Sequence, residues 1–176
     1  YEVIDTLNKE LPGVNLVAED LGELRPEVLE LKDHYHLKGM RILLFSIDTK
    51  GKYARDISND IENVIFYTGT HDNETVMGWL NDITEKEYNK VLEYFNLKKG
   101  IKHTEVCDAI VRAAVGSVSD TCIIPIQDYL HYDHNYRMNT PSTIGKNWMF
   151  RLTDKEMSDE VWKKIKYLTE LYGRVR

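Results

Sequence analysis

The chain has 176 residues, of which 42% are hydrophobic and 30% are charged, and its formal net charge is −6. This composition is typical of a globular protein with a packed core, and it excludes collagen-like and low-complexity disordered sequences. The negative charge and the short basic cluster of Lys98, Lys99 and Lys102 argue against nucleic-acid binding, which needs a face rich in Lys and Arg. We expect one domain over residues 1–176 with no nucleic-acid partner.

Cysteine use and hydropathy narrow the class of protein further. The two cysteines, Cys107 and Cys122, lie in apolar segments, which predicts core thiols and neither a disulfide framework nor a cysteine-based zinc site. No apolar run approaches the roughly 20 residues that cross a bilayer, and no signal-like leader opens the chain. We therefore expect a cytoplasmic protein with no membrane partner.

The first part of the chain predicts a helix, a strand and a second helix. Three apolar residues near the start have helical spacing: Val3, Ile4 and Leu7. Residues 15–18, NLVA, follow a Pro-Gly pair and precede two acidic residues, which predicts a buried strand. A helix is expected from Pro26, since proline suits the first helical turn, and should end before Gly39.

Two further apolar runs predict the next strands. Residues 40–45, MRILLF, and residues 63–68, NVIFYT, are continuous and rich in strand formers. The polar loop of residues 48–60 that joins them is long enough that we expect it to line a site. A helix is expected to start near Glu74.

The last part of the chain predicts three helices and one strand. Thr84 and Glu87 have the spacing of a capping box, which predicts a helix start there. Residues 104–118 predict another helix, and residues 121–126, TCIIPI, a fourth apolar strand. A final amphipathic helix is expected from about Ser158.

Apolar strands that alternate with helices predict an α/β fold with a parallel sheet covered on both faces. Polar residues follow each predicted strand: Glu19 and Asp20, Ser46 and Asp48, His71 and Asp72, Gln127 and Asp128. This arrangement fits either a doubly wound sheet or part of a (β/α)₈ barrel, because both folds bind ligands at the carboxyl ends of the strands. No glycine-rich phosphate-binding motif follows a strand, so no nucleotide cofactor is expected.

Carboxylates at two strand ends indicate glycosidic-bond chemistry. Glu19 and Asp72 follow different predicted strands, and two carboxylates held close together on a sheet can serve as an acid and as a group that stabilises positive charge. Structural roles are open for the same residues. Asp72 and Asp20 are both suitable helix N-caps, and Glu19 could form a salt bridge with Arg41.

Three blocks in order resemble the 4-alpha-glucanotransferase, or amylomaltase, family over nearly the whole chain. They are the segment beginning NLVAEDLGELRPEVLELKDHYHLKGMRILLF, then YTGTHDNETVMGW, then PIQDYL followed by YRMNTPSTIGKNWMFRL. The resemblance implies a (β/α)₈ barrel that transfers α-1,4-glucan segments between malto-oligosaccharides by a retaining double displacement, without a cofactor or a metal.

The resemblance also implies roles for individual residues. Glu19, in Ala-Glu-Asp-Leu-Gly, corresponds to the general acid/base, and Asp72, in Thr-His-Asp-Asn, to the transition-state stabiliser. His71 corresponds to a sugar-binding histidine, and Asn73 and Asn139 to further substrate-binding positions. The two tryptophans outside the last helix, Trp79 and Trp148, are expected to be packing residues.

One expected group is missing from the chain. The family's nucleophile is an aspartate in an Arg-Ile-Asp-His-like block before the Glu19 strand, and neither Asp33-His34 nor Asp133-His134 has that context. The resemblance therefore implies strands five to eight of the barrel, a fragment that does not catalyse transfer alone. A half barrel leaves strand edges unpaired, so we expect either self-association or a sheet that flattens and covers itself with a displaced helix.

Two other functions remain open at this stage. A non-catalytic carbohydrate-binding or assembly module would keep the fold and lack the chemistry. Metal-assisted hydrolysis through His71, Asp72 and Glu19 is the weaker alternative, because metal sites usually contain more histidines.

Overall fold

The computed structural model describes residues 1–47 and 62–175. The helices are α1 (Glu2–Glu10), α2 (Pro26–His34), α3 (Leu43–Ile47), α4 (Val76–Asp82), α5 (Glu85–Tyr94), α6 (His103–Val115), α7 (Ile126–Tyr129) and α8 (Asp159–Leu171). The strands are β1 (Gly39–Ile42), β2 (Val64–Tyr67) and β3 (Thr121–Ile123), and a short 3₁₀ helix covers His134–Tyr136. The predicted loop of residues 48–60 lies outside the described residues, and so does Asp48.

The three strands form one parallel sheet in the order β1-β2-β3. Gly39 aligns with Val64 in the first pair, and Ile65 aligns with Thr121 in the second. The α/β class and the parallel sheet agree with the sequence prediction. Because the strands run the same way, the segments that follow them emerge at one edge of the sheet.

The predicted strand at residues 15–18 is wrong in extent and in burial. Val17 forms a single parallel bridge with Lys38, and the Ala18 amide donates to the Lys38 carbonyl over 2.7 Å. The Val17 side chain is 45% exposed. Leu16 and Ala18 are only half-buried, and neither α1 nor α2 contributes a fully buried residue.

Two other predicted strands are shorter than the apolar runs that suggested them. The run at residues 40–45 leaves the sheet after Ile42 and turns into α3, whose leucines are good helix formers. Ser46 therefore lies within a helix and not just beyond a strand. The run at residues 121–126 ends at Ile123, and Pro125, which lacks an N–H for the ladder, becomes the N-cap of α7.

The hydrophobic core lies between β2 and the helices that follow it. Phe66 belongs to one cluster with residues of α4 and α6, and six residues of α6 are buried, which are Val106, Cys107, Ile110, Val111, Ala114 and Val115. Helix α8 adds Leu168 to the same cluster. Burying side chains of this size stabilises the fold by roughly 1.5–3 kcal/mol each.

Side-chain hydrogen bonds cap the first turns of α5 and α4. Thr84 and Glu87 form the predicted capping box of α5, in which the Thr84 amide donates to Glu87 Oε2 over 2.8 Å. Helix α4 begins two residues later than expected near Glu74, because its N-cap is Thr75, whose Oγ1 accepts from the Gly78 amide. Within the described residues, no helix has the length and apolar character that a membrane crossing requires.

Candidate active site

A hollow of about 620 Å³ opens where the three strands end. Met40, Tyr67 and Ile123, one from each strand, contribute to its wall. The side chains that sequence analysis singled out on this wall are Glu19, His71, Asp72 and Asn73. Glu19 and Asp72 are the carboxylates among its lining residues, so the structure brings together the two groups that follow different strand ends.

The Glu19 segment is anchored by its neighbour, Asp20. The buried Asp20 carboxylate accepts hydrogen bonds from the Met40 amide at 2.6 Å and from Lys32 Nζ at 2.7 Å, and it lies 3.5 Å from Arg41 Nη1. Arg41 therefore pairs with Asp20, and the alternative of a Glu19–Arg41 salt bridge is wrong. The capping role for Asp20 is also wrong, because Arg25 is the N-cap of α2.

The charge state of Asp20 follows from these contacts. Burial by itself would raise the pKa of Asp20, but the hydrogen bonds from Lys32 and the Met40 amide and the charges of Lys32 and Arg41 outweigh burial and lower it. Gly39 makes room for the carboxylate, since a Cβ at that position would lie 2.5 Å from Asp20 Oδ2. Glu19 itself is exposed and has no hydrogen-bond partner among the described residues, so its carboxylate is available to a ligand.

His71 and Asp72 lie on the loop between β2 and α4. Asn73 shapes this loop, because its Oδ1 accepts from both the amide and the hydroxyl of Thr70 at 2.8 Å. His71 Nε2 lies 3.3 Å from Asp72 Oδ1. The N-cap alternative for Asp72 is wrong, since Thr75 caps α4. Asn73 lines the hollow, but its side-chain oxygen is already used within the loop.

A later segment fixes this loop from across the site. Asn139 Nδ2 donates to Asp72 Oδ1 over 2.6 Å, and the Asn139 amide donates to the His71 carbonyl over 3.2 Å. Arg137 donates to the Asp72 carbonyl at 2.9 Å and forms a 3.1 Å ion pair with Glu74. Asp72 Oδ2 has no hydrogen-bond partner in the described part of the chain, which leaves it for a ligand hydroxyl.

Arg137 and Asp128 hold the loop of His71 and Asp72, and sequence reasoning did not predict these contacts. Arg137 directly precedes Met138 and Asn139 in the third matched block, so its place in that block was the available signal. Asp128 was noted as a polar residue after a strand, but nothing in the sequence pairs it with the His71 loop. Its role becomes visible only from contacts between elements distant in sequence.

Asp128 joins the two ends of the loop that carries His71 and Asp72. It accepts a hydrogen bond from the Thr68 hydroxyl before the loop, and at 2.9 Å from the Val76 amide at the start of α4. Both partners are neutral and Asp128 is 1% exposed, so burial outweighs the hydrogen bonds and raises the pKa of Asp128 to about 6.

The two tryptophans behave differently. Trp79 is half-buried against the core, as expected for a packing residue. The packing interpretation is wrong for Trp148, which is 56% exposed and lies beside His71 with ring centroids 5.0 Å apart. Trp148 lies in a surface segment, residues 141–149, of which every residue except Asn147 is exposed.

The described residues contain no cluster of three or more His, Cys, Asp or Glu side chains placed to hold a metal ion. The weaker alternative of metal-assisted hydrolysis through Glu19, His71 and Asp72 therefore has no assembled ligand set in this part of the chain. The arrangement offers instead two carboxylates with free oxygens and a histidine around one hollow.

The known proteins that are similar in sequence to this chain share one name, 4-alpha-glucanotransferase. The chain is 35% identical to the 4-alpha-glucanotransferase of Streptococcus pneumoniae and 36% identical to that of Synechocystis, covering 99% and 98% of this chain and 34% of each relative. It is 32% identical to the chloroplastic/amyloplastic 4-alpha-glucanotransferase of Solanum tuberosum, over 98% of this chain and 30% of that protein. The chain thus spans about a third of the length of these relatives.

Solved structures agree with the sequence relatives. The amylomaltase of Streptococcus agalactiae in complex with acarbose superposes with a TM-score of 0.89 at 29% identity, covering 99% of this chain and 35% of that one. The amylomaltase of Corynebacterium glutamicum matches at a TM-score of 0.65 and 16% identity over 93% of this chain and 30% of that one, a likeness of fold alone. The family model described as 4-alpha-glucanotransferase matches residues 1–157. On the matched blocks, the shared fold and this coverage, the chain belongs to the 4-alpha-glucanotransferase family.

Proposed function

We propose that the protein is a 4-alpha-glucanotransferase that transfers α-1,4-glucan segments between malto-oligosaccharides by a retaining double displacement. The observation that carries the proposal is that Glu19 and Asp72 line one hollow, each with carboxylate oxygen free of protein partners in the described residues. The volume of about 620 Å³ lies within the roughly 300–1,000 Å³ of small-molecule sites.

In the first half of the reaction, Glu19 donates its proton to the glycosidic oxygen of the donor glucan. The bond from the anomeric carbon to that oxygen breaks, and a nucleophilic carboxylate forms a bond to the same carbon. Asp72 Oδ2 and His71 accept or donate hydrogen bonds at the sugar hydroxyls. These contacts strengthen as the ring flattens and carries positive charge.

In the second half, the hydroxyl of an acceptor glucan gives its proton to Glu19. Its oxygen bonds to the anomeric carbon, and the nucleophilic carboxylate is released. The hollow's lining contains no third carboxylate from the described residues. We therefore propose that the nucleophile comes from another part of the protein, that this chain represents strands five to eight of the barrel, and that it does not transfer glucans by itself.

The open sheet edges support a second part of the proposal. Within the described residues nothing pairs with the outer edge of β3, where Ile123 is 47% exposed. Such edges favour pairing with another strand, so the isolated chain should self-associate. Light scattering of the isolated chain tests this, and a strictly monomeric species at millimolar concentration would count against it.

The test of activity uses the full gene product and maltotriose. The unaltered protein should release glucose and form longer oligosaccharides, and Glu19→Gln should slow transfer by about 10²–10⁴-fold, the usual contribution of a general acid/base. Asp72→Asn should also slow transfer. The matched control is Glu30→Gln, which changes an exposed glutamate on α2 and should leave the rate unchanged.

Circular dichroism of each variant shows whether the fold is kept. If folded Glu19→Gln retains full transfer activity, the acid/base assignment is wrong. Oligosaccharide binding without any transfer by the unaltered protein would instead favour the non-catalytic module.

A further inference from the structure

One buried carboxylate holds both ends of the loop that carries His71 and Asp72. Asp128 Oδ2 accepts a hydrogen bond from the Thr68 hydroxyl, just after β2, and Asp128 Oδ1 accepts from the Val76 amide at the first residue of α4 over 2.9 Å. Thr68 and Val76 are fully buried, and Asp128 is 1% exposed. The loop therefore begins and ends at donors that share one acceptor side chain.

The backbone of Asp128 is fixed to the core of the protein. Asp128 belongs to α7, where its amide donates to the Pro125 carbonyl over 3.0 Å. Its carbonyl accepts from the Cys107 thiol of α6 and from the His131 amide, both at 3.4 Å. Because these contacts tie Asp128 to α6 as well as to its own helix, its carboxylate is a fixed reference point for the loop.

Asp128 acts on the hollow only through the groups that it holds. It is not one of the residues that line the hollow of about 620 Å³, and with 1% of its surface exposed it offers almost nothing for a ligand to contact. Any effect of this side chain on the reaction must therefore pass through the loop.

The other hydrogen bonds of the loop fix different features. Asn73 bonds to Thr70 within the loop and sets its internal turn. Asn139 bonds to Asp72 Oδ1 and orients that carboxylate. Neither contact involves the two ends of the loop. Asp128 bonds to both ends, so it sets where the loop lies relative to β2 and α4.

We propose that Asp128 is a positioning residue for glucan transfer, which places Asp72 by joining the two ends of its loop. The inference rests on the proposed function, because Asp72 is the group through which Asp128 acts. A displacement of about 1 Å at a catalytic site can cost about 10²-fold in rate. When the displaced group stabilises charge that develops only in the transition state, the loss appears in kcat more than in KM.

Two substitutions at Asp128 separate its hydrogen bonds from its charge. Asp128→Ala removes both bonds, and kcat for transfer from maltotriose by the full gene product should fall by about 10- to 100-fold while KM changes by less than about twofold. Asp128→Asn should keep kcat within about threefold. Its amide oxygen can accept from the Val76 amide, and its NH₂ group can donate to the Thr68 hydroxyl oxygen.

A third variant, Thr68→Val, removes one of the two bonds and leaves the loop residues and Asp128 unaltered. It should lower kcat by less than Asp128→Ala does, and it carries the test if Asp128→Ala does not fold. The matched control is Leu168→Ala, which removes a buried side chain of α8 but no hydrogen bond. At a temperature where circular dichroism shows it to be folded, this control should keep both kcat and KM.

A double-mutant cycle distinguishes positioning of Asp72 from general support of the fold. In an Asp72→Asn background, Asp128→Ala and Thr68→Val should each lower kcat by less than about twofold, because the group that they position has already been altered. An equal fold-loss in both backgrounds would overturn the proposal. So would an unchanged kcat in Asp128→Ala and Thr68→Val, or a loss of the same size in Leu168→Ala.

The same assays separate the two proposals. If Asp72→Asn transfers slowly while Asp128→Ala and Thr68→Val transfer at the unaltered rate, the positioning role is wrong and the proposed function stands. If Asp72→Asn transfers at the unaltered rate, the role of Asp72 in the proposed function is wrong, and positioning through Asp72 is wrong with it.

Discussion

Two buried aspartates anchor the two sides of the site, and their surroundings shift their pKa values in opposite directions. Asp20, beside Glu19, faces Lys32 and Arg41, and its pKa is lowered. Asp128, behind the His71–Asp72 loop, faces the Thr68 hydroxyl and the Val76 amide, and its pKa is raised to about 6. Burial acts on both, so the difference lies in whether the partners carry charge.

The comparison shows two ways to hold a ligand-facing carboxylate in place. On the Glu19 side an ion pair fixes the segment, and removal of the Asp20 charge leaves Lys32 and Arg41 without a counter-ion among the described residues. On the Asp72 side the hydrogen bonds to Asp128 come from the neutral Thr68 hydroxyl and Val76 amide, so the negative charge of Asp128 is itself unfavourable. Removing the negative charge of Asp20 should therefore destabilise the folded protein, whereas removing the negative charge of Asp128 should stabilise it.

The largest expected effect is that of Asp20→Asn. The change should lower the free energy of unfolding by about 3 kcal/mol, because Lys32 and Arg41 keep their charges in a mostly buried setting. Urea denaturation of the purified protein at neutral pH measures it. Since the folded pKa of Asp20 is lowered, its contribution is present above the unfolded pKa and is lost as the pH falls through the folded value. An Asp20→Asn variant as stable as the unaltered protein would remove the distinction between the two anchors.

The next largest effect is expected from Gly39→Ala. The new Cβ would lie 2.5 Å from Asp20 Oδ2, and Asp20 is held from three sides, so the clash should cost about 2 kcal/mol. The control is a double-mutant cycle with Asp20→Ala, measured by the same denaturation. In the Asp20→Ala background, Gly39→Ala should cost little. An equal cost in both backgrounds would show that Asp20 is not what crowds this position.

The smallest expected effect is a difference in pH dependence. Because native Asp128 binds its proton more tightly than the unfolded chain, its stabilising protonation is complete below the unfolded pKa and is lost as the pH rises through about 6. Between pH 5 and pH 7.5 the unaltered protein should lose about 1 kcal/mol of unfolding free energy from this group. Asp128→Asn should remove that slope while keeping an oxygen for the Val76 amide. A slope that persists in the variant would assign it to another group.

Much of the fold was predictable from local sequence. The capping box at Thr84, the helix from Pro26 and the apolar run of β2 depend on neighbours within a few residues, and the structure confirms them. The prediction of a buried strand at residues 15–18 failed, because an apolar run does not specify whether another part of the chain will pair with it or cover it. The apolar run at residues 40–45 suits a buried strand and a buried helix equally, so it did not reveal that β1 ends at Ile42 and α3 follows.

The sequence predicted the residues that face the hollow, but it did not predict the residues that hold them in place. Glu19, His71, Asp72 and Asn139 follow from the matched blocks, and the structure brings them to one edge of the sheet. Asp128 and Arg137 act across 52 and 65 residues of chain, to Val76 and Asp72, and no short-range pattern records such contacts. Trp148 was misjudged because its exposure follows from the position of residues 141–149 at the surface, which the local sequence does not specify.

The hydrogen bonds from Arg137 and Asn139 to Asp72 also set an order of assembly. They close loops of 65 and 67 residues, and loop closure of that length is slow relative to helix formation. During synthesis, β2 and helices α4 to α6 are complete before the segment that locks Asp72 has been made. The Asp72 carboxylate thus cannot reach its final orientation until residues 137–139 have been made.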